Sequence, residues 1–203
     1  MSLVVSQEAP LVLGSASPRR REILMSLGIP LFVLPAEVDE SVRAGEPPEA
    51  YLERIVADKL RAVAGRLGGL PGAALLVADT SVVLADEILG KPVDTSDAMR
   101  LLERLCGRPH RVLTRYALGL RSGEALVART VSSDVWLRAA SAEELAAYAR
   151  TGEGLDKAGA YAVQGLGAVL VERLVGSYSN VVGLPACEVV LDLKQHGLLG
   201  PFP

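Results

Sequence analysis

The chain has 203 residues, half of them hydrophobic but only 4% aromatic, and a formal net charge of −3. That length suits one medium α/β domain or two small lobes, with a core built from Leu, Val and Ala. The acidic balance argues against a protein that grips nucleic acid by its phosphates, and two distant cysteines with only two histidines make no zinc-ligand pattern.

In chain order, the opening MSLVVSQEAP lacks the basic region and long apolar run of a signal peptide. No charge-free stretch reaches the ~18 residues of a membrane span, so the expectation is a cytoplasmic protein that binds no membrane. Residues 11–14 form a short apolar strand ending in Gly-Ser-Ala-Ser. Ser17 and Pro18 then start a helix over 18–27, stopped by Gly28 and Pro30. Residues 31–34 read as a strand, 35–48 as an acidic loop with Glu37, Asp39, Glu40 and Glu46, and 48–66 as a long helix ending in glycines. A buried-type strand over 73–78 is expected to stop at Asp79-Thr80, with 82–85 extended again and a hairpin turn in "ADEILG". Thr95 or Ser96 caps a helix to about 105, and 112–120 and 125–137 read as antiparallel strands. Ser141 and Glu144 form a capping box for a helix ending near Gly152. The last two apolar segments read as a strand over 168–174 and a helix over 184–194. Alternating strands and helices argue an α/β fold with a partly antiparallel sheet.

Several charges sit where simple rules disfavour them. Arg19, Arg20 and Arg21 occupy the first turn of a helix, whose N-terminus carries roughly +0.5 of a charge. Arg20 shares the face of Ile23, Leu24 and Leu27 and should reach back toward the 14–17 loop. A bound anion there would meet free backbone N–H groups and arginine forks; the alternative is arginines that are solvated or paired with carboxylates, the better reading for Arg21. Lys59 falls inside the stripe of Leu52, Ile55, Val56 and Val63, where a lysine either snorkels or serves a charged cleft. Lys91, between Gly90 and Pro92, is a third candidate cation. Asp79 lies between two apolar runs, where a carboxylate is costly unless paired, hydrogen-bonded or metal-bound. With Glu37 approaching from a neighbouring strand end, this set describes a site for a polyphosphate and a hard ion such as Mg2+.

Other motifs fall short. No GxxxxGK[ST] loop or GxSxG elbow occurs, and "GLGAVL" lacks the third glycine of a dinucleotide fingerprint. His110 and His196 read as structural, and Cys187 reads as core on an apolar helix face.

Five segments, "GSASPRR" (14–20), "ADTSVVLADEILGKP" (78–92), "LCGRPHRVLT" (105–114), "DKAGAYAVQG" (156–165) and "GSYSNVVGLP" (176–185), follow one another along the chain. In this order they resemble the signature blocks of the Maf family, septum formation inhibitor Maf and nucleoside triphosphate pyrophosphatases. The resemblance spans about 11–193 and implies a single domain over 1–203. It implies a mixed, elongated β-sheet flanked by helices in two lobes with a central cleft, like inosine triphosphate pyrophosphatase. It further implies hydrolysis of a nucleoside triphosphate at the α–β bond to a monophosphate and pyrophosphate, with a divalent cation (Mg2+ or Mn2+). Dimers are common in the family.

By resemblance, Asp79 is the proton acceptor and a metal ligand with Glu37. Ser15, Arg20, Lys59 and Lys91 contact phosphates, and Arg19, Thr80 and Gln164 stand at specificity positions. Thr80 with Gln164 resembles the dTTP/UTP branch, with modified pyrimidine nucleotides as further candidate substrates. Gly154-Leu155 stands where a proline-containing pair is usual, a change expected to loosen the loop that carries Asp156 and Gln164. The family's link to cell-division arrest supplies the rival reading, a nucleotide-responsive binding protein.

Overall fold

A computed structural model of the chain describes residues 4–200. Among these residues seven strands form one sheet: β1 (Leu11–Leu13), β2 (Leu31–Val33), β3 (Ala74–Leu84), β4 (Glu87–Leu89), β5 (Pro109–Gly119), β6 (Ala125–Leu137) and β7 (Val171–Val175). Their order is β2-β1-β3-β5-β6-β7, with β4 paired to β3. β1 runs parallel to both β2 and β3, while the β3–β4 and β6–β7 pairs are antiparallel, so the sheet is mixed. Among the described residues six α-helices accompany it: α1 (Pro18–Ser26), α2 (Pro48–Leu67), α3 (Thr95–Leu105), α4 (Ala142–Arg150), α5 (Tyr178–Val182) and α6 (Ala186–Gln195). Among the described residues no helix is long and apolar enough to cross a membrane.

The chain divides into two compact units. One runs to Asp79 and includes Thr114–Val131 and the chain from Gly183 on; the other is Thr80–Leu113 with Ser132–Val182. In the first, the period-two alternation of the strands sends neighbours to opposite faces. Leu11 and Leu13 of β1 pack with Leu24 of α1 and Val189 and Leu193 of α6. Val12, between them, joins Leu75 and Val77 of β3 against Val56, Leu60 and Val63 of α2. Both faces of these strands are therefore buried, which is why they read as continuous apolar runs. The second unit gathers Val82, Val112, Val135 and Leu137 against Leu101, Leu102 and Leu105 of α3 and Leu145 of α4.

Four local expectations are corrected. β3 does not stop at Asp79 but continues through it to Leu84, because apolar Val82 and Val83 are also buried. Ala85 and Asp86 then take left-handed φ of 49° and 67°, the conformation of a tight two-residue hairpin turn into β4. The cap of α3 is Asp94, whose Oδ1 accepts the Asp97 N–H at 2.8 Å, so Thr95 is already helical. Residues 165–170 form a 3-10 helix before β7 rather than the start of a strand. Cys187 is exposed, on the solvent side of α6 rather than in the core. The Ser141–Glu144 capping box is present as read.

Candidate active site

In the first unit β1 and β2 end beside the middle of β3, just ahead of Asp79, and the chain leaving them brings polar groups to that place. After β1, Ser17 caps α1: its Oγ accepts the Arg20 N–H at 3.5 Å, with Pro18 in the first turn. Arg20 lies on the helix face of buried Leu24 and is itself only 8% exposed. Its Nε donates to the carbonyl of Gly183 at 2.8 Å, and its Nη1 to Ser15 Oγ at 3.0 Å and the Ala78 carbonyl at 2.9 Å. An arginine at the positive end of a helix is thus compensated by oxygens from three chain segments. Burial pulls its pKa down, Asp79 and Glu40 oppose that, and Arg19 adds to the lowering, leaving the group below its ordinary value. Gly183 is delivered by the entry to α6, and that helix is pinned by buried Asp192. Its carboxylate accepts from the Tyr116 hydroxyl at 2.5 Å and from Arg129 at 2.7 and 2.8 Å.

From α2, Lys59 enters the apolar stripe and is 6% exposed. Its Nζ donates to Asp79 Oδ1 at 2.7 Å and pairs with Glu40 Oε1 at 2.6 Å. Lys59 and Asp79 are a largely buried ion pair, which holds only because geometry and additional partners offset desolvation. The acidic loop after β2 is tied to α2 so that Glu40 can reach this pair. The Tyr51 hydroxyl donates to the Glu40 carbonyl at 3.1 Å, and Arg54 donates to the Ser41 carbonyl at 2.9 Å. Arg54 also holds Glu46 in a two-pronged contact at 2.7 and 2.6 Å, which brings the Glu46 carboxyl down to about 2. Burial pushes the Tyr51 hydroxyl up, and the Asp79 and Glu40 charges push it further.

The structure therefore brings together Ser15, Arg20, Lys59 and Asp79, with Arg19 half-buried at the start of α1. Glu37 is elsewhere in the loop: it is exposed and pairs with Arg66 at 3.4 Å. The carboxylate that joins the cluster is Glu40, three residues on, which the sequence marks only as one of the loop's acids. In the second unit, Thr80 follows Asp79 along β3, while Lys91 and Gln164 are exposed. Gly154 lies tight against the backbone of Ala160. A Cβ there would stand 2.0 Å from the Ala160 carbonyl oxygen, so the missing side chain is what permits the close packing.

Among the described residues no group of three or more His, Cys, Asp or Glu side chains converges as a self-sufficient metal cage. Asp79 and Glu40, both directed at one ammonium, are two hard oxygen donors. That set fits an ion of the Mg2+ type, which takes one or two protein carboxylates and fills its shell with water and substrate phosphate.

The polar centre of this α/β unit is thus a carboxylate in mid-β3 held by a buried lysine, beside a second carboxylate and a buried arginine. Residues 10–196 match the family model described as Maf-like protein, and the chain belongs to the Maf family. It is 51% identical to a dTTP/UTP pyrophosphatase of Myxococcus xanthus over 95% of this chain and 94% of the relative. It is 46% identical to a dTTP/UTP pyrophosphatase of Geobacter sulfurreducens over 95% of this chain and the whole of the relative. Among solved structures it resembles a HAM1 protein from Coxiella burnetii at 15% identity and a TM-score of 0.44, over 64% of this chain and 73% of that one.

Proposed function

We propose that the chain, as one domain over 1–203, is a cytoplasmic nucleoside triphosphate pyrophosphatase. It hydrolyses dTTP and UTP to the monophosphate and pyrophosphate. The observation that carries this reading is the Asp79 carboxylate, buried in β3 and held through one oxygen by Lys59. Asp79 accepts the proton of the attacking water, or orients it, through the oxygen that Lys59 leaves unused. Lys59 holds and aims that carboxylate, and supplies positive charge where negative charge develops on the leaving pyrophosphate. Ser15, Arg19, Arg20 and Lys91 are assigned to the phosphate chain, and Thr80 and Gln164 to the pyrimidine edge. Asp79 and Glu40 would hold a divalent cation, which supplies charge neutralisation of the triphosphate when bound.

The test is direct. Purified protein is incubated with UTP and Mg2+, and products are resolved by phosphorus NMR. UMP and pyrophosphate in equal amounts support the reading. UDP with inorganic phosphate contradicts the bond assignment, and tight UTP binding with no product favours a nucleotide-responsive binding protein instead.

A further inference from the structure

The segment carrying Gln164 is held by a side-chain device that the proposed chemistry does not use. Gln164 is exposed and extended, with φ −97° and ψ 168°, at the entry to the 3-10 helix Gly165–Leu170. The direction in which its Cα–Cβ bond leaves the chain is therefore set by the backbone on either side. On the far side, the N–H of Leu166 donates to Glu153 Oε1 at 2.8 Å, and that of Gly167 to Glu153 Oε2 at 2.7 Å. The Tyr148 hydroxyl donates to the same Oε2 at 2.9 Å and accepts the N–H of Ala162 at 3.1 Å, on the near side. One residue earlier, the Tyr161 hydroxyl meets buried His110 Nε2 at 2.7 Å. The carboxylate lies so close that a Cβ on Gly165 (φ +64°) would stand 2.2 Å from Oε1. Burial raises the Glu153 pKa, but the Leu166 and Gly167 N–H groups, Tyr148 and Lys157 together bring it below the ordinary value. The clamp is thus a charged one at neutral pH, and charge-assisted hydrogen bonds are roughly twice as strong as neutral ones.

We infer that Glu153, seconded by Tyr148, is a positioning residue for base selection: it fixes the backbone on both sides of Gln164 and so the direction from which that amide meets the base. The inference rests on the reading of Gln164 as a base-contacting residue. The experiment uses the full chain with Glu153→Gln, Tyr148→Phe, Gln164→Ala and the double variant Glu153→Gln/Gln164→Ala. It reads kcat/KM for UTP against CTP, and hydrogen exchange at the Leu166 and Gly167 amides. Glu153→Gln should lower the UTP-to-CTP ratio by roughly tenfold, mainly through KM for UTP, and speed exchange at both amides. Tyr148→Phe, which removes one oxygen only, should lower the ratio in the same direction with the fold retained. On the Gln164→Ala background, Glu153→Gln should change the ratio no further, because contacts acting as one unit are not additive. A ratio unchanged in Glu153→Gln and Tyr148→Phe, while Gln164→Ala collapses it, overturns the inference alone. An additive loss in the double variant does the same. A ratio unchanged in Gln164→Ala removes the reading of Gln164 and the inference with it.

Discussion

Lys59 Nζ stands 2.7 Å from Oδ1 of Asp79, in a pair whose side chains are only 7% and 13% exposed. Two charges in such a place stabilise little in net terms, but each makes removal of the other expensive. Lys59→Met should therefore cost about 3 kcal/mol of stability, read as a lower urea midpoint, as well as activity. The double replacement Lys59→Met/Asp79→Leu should regain much of the stability and none of the activity. Equal stability of the single variant and the wild type would mean that the pair is solvated.

Glu40 rather than Glu37 shares the lysine with Asp79. Glu40→Gln should raise the Mg2+ concentration needed for half-maximal UTP turnover by roughly tenfold, as expected for loss of one of two carboxylate donors. Glu37→Gln should raise it much less. The reverse order in a metal titration would return the metal role to Glu37.

His110 is 3% exposed, and burial brings its pKa down to about 4. In the unfolded chain the group titrates near 6.5, so acid protonates the unfolded state first. The stability due to a neutral His110 is full above about pH 6.5 and is lost as pH falls toward 4, a total of about 3 kcal/mol. Thermal unfolding at pH 7, 6 and 5 should show a steeper decline in the wild type than in His110→Gln. Parallel profiles would show that another group governs this range.

Gly154→Ala places a methyl carbon where the Ala160 carbonyl oxygen already stands. A clash with backbone cannot be relieved by a rotamer change, so a loss of about 1–3 kcal/mol is expected. In calorimetry this is a fall of roughly 2–12 °C for a chain of this size. An unchanged transition would mean that the 154–160 turn yields easily.

Much of this is legible in the sequence. The apolar runs announced β1 and β3, Ser17-Pro18 announced the start of α1, and the periodicity of α2 exposed Lys59 as a charge on the wrong face. These are local signals, each a clash between a residue and its expected surroundings. Glu40 was not legible in the same way. In "EVDE" any of three carboxylates satisfies the composition, and the choice is made by Tyr51 and Arg54, which fasten the loop to α2 from further along the chain. The Glu153 clamp was hidden for the same reason: its contacts join residues 5 to 14 positions apart, with no periodic pattern to mark them. Cys187 was misread because an apolar neighbourhood in sequence does not say which side of a ten-residue helix faces water.

The central claim is that the Asp79 carboxylate handles the attacking water. Asp79→Asn keeps the side chain's shape and removes its basicity. In a continuous assay of pyrophosphate release from UTP, kcat should fall by roughly 10²- to 10⁴-fold in a variant whose circular dichroism matches the wild type. Turnover within a few-fold of the wild type would contradict the account and place the base elsewhere.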